Sequence, residues 1–179
     1  GLSAGYFRGW VGAVIGIVSD VILAFPVLIL VMVIVAIRGP SFEGLIIGLA
    51  IGTTPAFTRM ARAHTMTWAT REFGAASAGL RARHPRLIVT SVLPMVTPPL
   101  LVYSLLVAAL VMMAEGSLSF LGYGVPPPAV SWGGMIASGR QVMQQAPWVV
   151  LIPALVLITT VMALNVIGDR LDRRGGDLR

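Results

Sequence analysis

The sequence predicts an all-α fold, a polytopic bundle of helices crossing a membrane, and three observations predict it. Hydrophobic residues make up 56% of the 179 positions and charged residues only 11%, against about 25% charged in an average soluble domain. Mean hydropathy is +0.88. The apolar residues also come in unbroken runs, several near the roughly 20 residues that a helix needs to cross a bilayer core. So little charge cannot cover a globular surface of this size, which makes lipid the solvent the composition requires.

Gly1 to Trp10 is Gly-rich and polar, with Arg8 its one charge; it opens without Met, and a preceding N-terminal part is expected. Val11 to Ile37 carries only Asp20, and Val21 to Ile37 gives seventeen uncharged residues, read as a first span kinked at Pro26. Asp20 and Phe25 would then face a packed partner or a cavity, although an acid at a span's end is also readily solvated. Arg38-Gly39-Pro40-Ser41 reads as a tight turn. Gly44 to Thr58, fifteen uncharged residues, reads as a second span, short unless Arg59 and Arg62 snorkel to the interface. Thr53, Thr54 and Pro55 inside it predict a polar, bent face packed on a neighbour.

Leu87 to Ala114 is twenty-eight residues without a charge, a third span whose first turns Pro94, Pro98 and Pro99 distort and which Glu115 closes. Gly116 to Pro147 follows with six glycines, four prolines and Arg140 as its only charge. It is long for a structureless loop, and such loops are functional or re-entrant. Pro147 to Ile167 is the last span, twenty-one residues with only Asn165 strongly polar. Gly168 to Arg179, with four Arg and three Asp, reads as an exposed, frayed tail.

The net charge of +6 comes from thirteen Arg against seven acids, with no Lys. Placing Gly1–Trp10, Arg59–Arg86 and the tail on one side gives that side eleven arginines and leaves Arg38 and Arg140 on the other. The positive-inside rule makes the arginine-rich side cytoplasmic. Four spans, with both ends of this chain inside, follow. Arginines scattered in short loops between apolar runs argue against nucleic acid as a partner.

Absences narrow the chemistry. Without Cys there is no disulfide, thiolate metal site or iron–sulfur ligation. Without Lys the chain cannot carry the phosphate-binding Walker sequence, so nucleotide hydrolysis would need another chain. His64 and His84 lie twenty residues apart and match no zinc spacing. No metal site and no cofactor is expected in this chain. A stand-alone channel or secondary transporter would need ionisable groups inside the spans, which hold few. An intramembrane hydrolase would need a base beside a buried serine, and both histidines fall on the cytoplasmic side.

The longest polar interruption, Thr70 to Pro94, stands at the centre. Met66, Ala69, Phe73, Ala76 and Leu80 recur at steps of three and four, one face of a helix. Arg71, Glu72, Arg81 and Arg83 fall mostly on other faces, giving a short amphipathic helix beside the membrane. Gly74 and Gly79 cost that helix about 1 kcal/mol each against Ala, yet they let another surface approach closely. Pro85 ends the pattern. Two readings stand on pattern alone: a helix that docks a partner, or a solvated segment on the lipid surface.

This segment resembles the EAA loop of permease subunits of binding-protein-dependent ABC importers. Arg71-Glu72-Phe73 matches the lead-in, Ala76 the first alanine and Leu93-Pro94 the closing pair. Ala75 stands in place of the family's glutamate, Ser77 of its second alanine and Arg81 of its glycine. A second stretch is more specific. Ser117-Leu-Ser119-Phe-Leu-Gly122, Gly124, Pro127-Pro128, Ser131-Trp132-Gly133 and Gly139-Arg140 are similar to the outer loop of the dipeptide, oligopeptide and nickel permeases. Gly5-Tyr6, Trp10, Asp20, Ala24-Phe25-Pro26 and Asn165 through Asp169 match the second of their two permease chains, in the same order.

The resemblance implies a single transmembrane permease domain over residues 1–179 with the type I importer fold, two further helices before Gly1, and a place in the inner membrane. It implies a cytoplasmic coupling loop at 63–91 and an extracytoplasmic loop at 116–147. The implied partners are a second permease subunit, ATP-binding subunits that hold ATP and Mg, and an extracytoplasmic substrate-binding protein. Carried onto this chain, the ATPase-coupling residues are Arg71, Glu72, Phe73, Ala75, Ala76, Gly79, Leu80, Arg81 and Arg83. Asp20, Phe25, Glu115, Ser119 and Trp132 are the candidates for the pathway or its outer gate. The implied activity is peptide import, with no catalytic residue in the chain.

Overall fold

The computed structural model describes residues 10–76 and 92–176, with side chains described within 10–67 and 92–173. All regular elements among the described residues are helical: α1 (Trp10–Leu23), α2 (Val27–Arg38), α3 (Phe42–Ala76), α4 (Leu93–Phe120), α5 (Trp132–Gly139), a 3-10 turn (Arg140–Val142) and α6 (Trp148–Gly176). Three segments are long and apolar enough to cross a membrane: Phe42–Thr67, Leu93–Phe120 and Trp148–Arg173.

The first predicted span is more than kinked. At Pro26 the chain turns by 84° between α1 and α2, so four spans are reached only if that pair counts as one. Proline has no N–H to continue α1 and instead starts α2, its carbonyl accepting from the Leu30 N–H at 3.0 Å. The twelve residues of α2 extend about 18 Å, short of a core about 30 Å thick.

What α2 lacks in length it recovers in contact. Val27, Val31 and Val35, four residues apart, lie against Gly52, Gly48 and Gly44 of the antiparallel α3. A Cβ on Gly52 would sit 2.9 Å from Val27 Cγ1, and one on Gly48 would sit 3.0 Å from Val31 Cγ1. Helix pairs in lipid gain from this closeness, because backbone packing replaces the hydrophobic drive that water would supply. The turn between the two uses Gly39 at φ 84, and the Ser41 hydroxyl caps α3 by accepting from the Gly44 N–H at 3.0 Å.

Helix α3 continues past the predicted end at Thr58 and through Met66 to Ala76. The amphipathic stretch therefore begins as an extension of the second span, because nothing between Thr58 and Ala76 breaks a helix. Pro55 lies within it, fully buried. Thr53 and Thr54 turn their hydroxyls back to the carbonyls of Leu49 and Ala50 at 2.8 and 2.6 Å, so the expected polar face is satisfied within its own helix.

Helix α4 runs antiparallel to α3. Ala61 packs with Val92 and Val96 near one end, and Phe57 meets the Tyr103 ring edge-on at 5.3 Å. Val31, Val35, Leu45, Leu49 and Leu118 form the other core, near the opposite end of the pair. Of the predicted third span, residues 87–91 lie outside the described residues. Its other boundary moves: Glu115 does not close the helix, which runs on to Phe120. There the Tyr123 N–H bonds the Leu118 carbonyl at 2.8 Å, the Gly122 N–H bonds Ser119 at 3.1 Å, and Gly122 has φ 86. This is a Schellman cap, with Tyr123 packing on the core around Leu118.

Helix α6 packs antiparallel on α4, with Gly168 beside Leu106 and Leu157 beside Gly116. It continues to Gly176, so the tail from Gly168 is helical rather than frayed as far as it is described. Asn165 donates to its own helix, to the Val161 carbonyl at 2.8 Å. Leu151, Ile152, Leu155, Ile158 and Met162 stay exposed, an apolar face suited to lipid or another helix.

Candidate functional site

The residues singled out from sequence fall at two ends of the bundle. At the arginine-rich end, Asp20 of α1 and Arg59 of α3 meet at 2.6 Å. Both side chains are more than 60% exposed, so solvent screens the pair and its contribution is below about 1 kcal/mol. Together with Arg62 beside Gly16, the pair marks where α1 crosses α3. Phe25 lies exposed at the break between α1 and α2. Neither Asp20 nor Phe25 lines the cleft or the hollow that the other three pathway candidates reach.

Of the coupling candidates, Arg71, Glu72, Phe73, Ala75 and Ala76 lie on the last two turns of α3, where only the backbone is described. Gly79, Leu80, Arg81 and Arg83 fall outside the described residues.

At the other end, Glu115, Ser119 and Trp132 converge. A one-turn step along α4 lets the Ser119 hydroxyl donate to Glu115 Oε1 at 2.6 Å. Ser119 is buried, and its Oγ lies 3.4 Å from Ser131 Oγ. Ser131 is the N-cap of α5, its hydroxyl accepting from the Gly134 N–H at 3.0 Å. The three side chains thus connect α4 to the short helix that follows the proline-rich segment. That segment was read from sequence as a loop, and it holds a helix because Ser131 caps it and Gly133 seats it. A Cβ on Gly133 would lie 2.6 Å from the Gly116 Cα and 2.8 Å from the Ser119 Cβ.

Arg140 lies just past α5, its guanidinium 4.4 Å from the centre of the Phe120 ring. This ties the far end of the outer segment to the last turn of α4.

Between α3, α4 and α5 lies a cleft of about 420 Å³, walled by Phe42, Leu45, Leu49, Met112, Trp132 and Met135, with Glu115 and Ser131 also on its surface. A second hollow of about 610 Å³ runs under Pro126–Val130 and reaches Ser119. Phe42, Met135 and the capping role of Ser131 were not anticipated. The Ser-Trp-Gly-Gly order, a capping residue followed by small ones, is the signal that points to a helix start here.

The long apolar helices, the bent pair and the short helix folded onto the outer end of α4 define an all-α, multi-pass membrane protein with a largely apolar cleft, carrying Glu115 and Ser131, at one end. The chain belongs to the family described as the binding-protein-dependent transport system inner membrane component, whose profile matches residues 1–175.

Individual relatives agree. The chain is 36% identical over 171 residues to the dipeptide transport system permease protein DppC of Alkalihalophilus pseudofirmus, covering 96% of this chain and 56% of that one. It is 39% identical over 171 residues to the di/tripeptide transport system permease protein DppC of Pseudomonas aeruginosa, with the same coverage. It is 33% identical over 171 residues to the glutathione transport system permease protein GsiD of Pectobacterium atrosepticum, covering 96% of this chain and 57% of that one. The chain thus spans a little over half the length of these curated relatives.

Proposed function

We propose that this chain is the core of a permease subunit in an ATP-driven importer of short peptides, where it forms half of the translocation pathway. The observation that carries this reading is the agreement over residues 1–175 with binding-protein-dependent transport components. The relatives' names support a peptide cargo, glutathione being itself a tripeptide.

In this reading the chain hydrolyses nothing. ATP and Mg²⁺ sit on partner ATP-binding subunits, a second permease completes the pathway as a heterodimer, and an extracytoplasmic binding protein delivers the peptide. The arginine distribution supports a cytoplasmic side for the 63–91 segment and the C-terminus. Phe73, Ala76 and Leu80 then form an apolar plug for an ATP-binding subunit, with Gly79 and Ala75 small enough for close approach. Arg71, Glu72, Arg81 and Arg83 set orientation at the rim. Closure of the ATP-binding subunits moves this segment as a rigid body, and the two permease bundles switch the side they face.

The test is reconstitution. The full-length permease, purified with its partner chains, should accumulate leucyl-leucine in proteoliposomes only when ATP and the binding protein are supplied. Passage of solute or hydrolysis of ATP by the permease chain alone overturns the reading.

A further inference from the structure

We propose that Glu115 is the anionic half of a subsite for the α-ammonium group of a short peptide, with an apolar first residue seated in the cleft between α3, α4 and α5. This rests on the peptide-import reading and deepens it by naming the atom that would receive the cargo's amino end.

Glu115 is the only charged residue in α4, a helix otherwise apolar over Leu93–Phe120. It is half-buried on the wall of the cleft, where a matching charge is worth more than in open water. No cation supplies one among the described residues: the salt bridge found there joins Arg59 to Asp20, and Arg140 is engaged over Phe120, which does not line this cleft. Ser119 donates one hydrogen bond to Oε1. That bond aims the carboxyl group but supplies no charge, and the Ser131 hydroxyl beside it already accepts from Gly134.

The cleft decides what kind of cation fits. Its walls are aromatic, aliphatic and thioether side chains, and about 420 Å³ lies within the range of small-ligand pockets. A metal ion would want several oxygen or nitrogen ligands, and no group of three acidic, His or Cys side chains occurs among the described residues. A primary ammonium needs less. It carries three N–H donors and a point charge that one carboxylate can match. The apolar walls then receive the side chain next to it, and the Trp132 ring on the same wall can add attraction for the cation.

The experiment uses the full-length complex of both permeases and the ATP-binding subunits in nanodiscs, without binding protein, so that the binding protein's own selectivity plays no part. Equilibrium retention of leucyl-leucine is compared with that of N-acetyl-leucyl-leucine, which lacks the charge. Wild type should retain the free amine at least tenfold better. Glu115→Gln, which keeps an acceptor for Ser119 but no charge, should shrink that preference at least fivefold, and Glu115→Asp should restore most of it. Equal or absent retention of the two peptides in wild type, or an undiminished preference in Glu115→Gln, overturns the proposal. A wild-type complex that imports leucyl-leucine with ATP and binding protein yet shows equal retention sinks the subsite alone; one that imports no peptide sinks the peptide reading.

Discussion

Gly133 of α5 lies directly on the backbone of Gly116 of α4, so close that a Cβ on Gly133 would come within 2.6 Å of the Gly116 Cα. The contact is one-sided. A Cβ on Gly116 would meet only the end of Leu157, at 3.4 Å. Gly133→Ala should therefore lift α5 off α4, while Gly116→Ala is accommodated. Limited proteolysis of the 121–147 segment checks this: cleavage should speed up at least tenfold in the first variant and less than twofold in the second.

The valine–glycine interlock of α2 and α3 makes a paired prediction. Gly52→Ala overpacks Val27, with a Cβ 2.9 Å from its Cγ1, and should cost about 1–3 kcal/mol. Val27→Ala in the same chain removes the clashing methyl groups and should recover most of the loss. At Gly48 the Val31 Cα itself lies 3.2 Å away, so Val31→Ala should recover less. Thermal unfolding of the reconstituted complex would rank the four variants.

Gly122 ends α4 at φ 86, where a Cβ is strained even though nothing crowds it. Gly122→Ala should cost about 1 kcal/mol and Gly122→Asn less, since Asn tolerates this region. Equal unfolding temperatures for Ala, Asn and wild type would contradict the cap.

The Asp20–Arg59 pair should prove weak. A double-mutant cycle through Asp20→Asn and Arg59→Gln is expected to give a coupling below about 1 kcal/mol, falling further in high salt, because both groups are exposed.

The proposed coupling role makes its own prediction. Phe73→Asp should abolish ATP-driven uptake while insertion into the membrane stays normal. Because the chain has no cysteine, Arg83→Cys reports topology cleanly. Labelling from the cytoplasmic side only is expected, and labelling from outside intact cells would reverse the orientation.

The spans were legible because hydropathy alone marks them: Phe42–Thr67, Leu93–Phe120 and Trp148–Arg173 overlap the predicted runs. Their ends were less so, for reasons that differ. Glu115 looked like a stop because a charge interrupts an apolar run, yet a helix ends where its last carbonyls find partners, and Gly122 supplies that seven residues later. The polar tail remained helical past Asn165 because charge does not break helices. The turn at Pro26 was visible as a proline, but a proline does not specify the 84° between α1 and α2. The convergence of Glu115, Ser119 and Trp132 followed from their nearness in the chain plus one cap at Ser131, whereas Phe42 enters the same cleft only because α3 folds back against α4.

Thirty-five residues of continuous helix make α3 about 52 Å long, about 20 Å more than a hydrocarbon core is thick. A tilt of 5° about its Phe42 end would swing the Ala76 end by about 4.5 Å, close to one helical pitch. With Val27, Val31 and Val35 of α2 seated on Gly52, Gly48 and Gly44 of its first turns, a rotation about that end would be magnified along the helix, and the residues beyond Thr67 would move furthest.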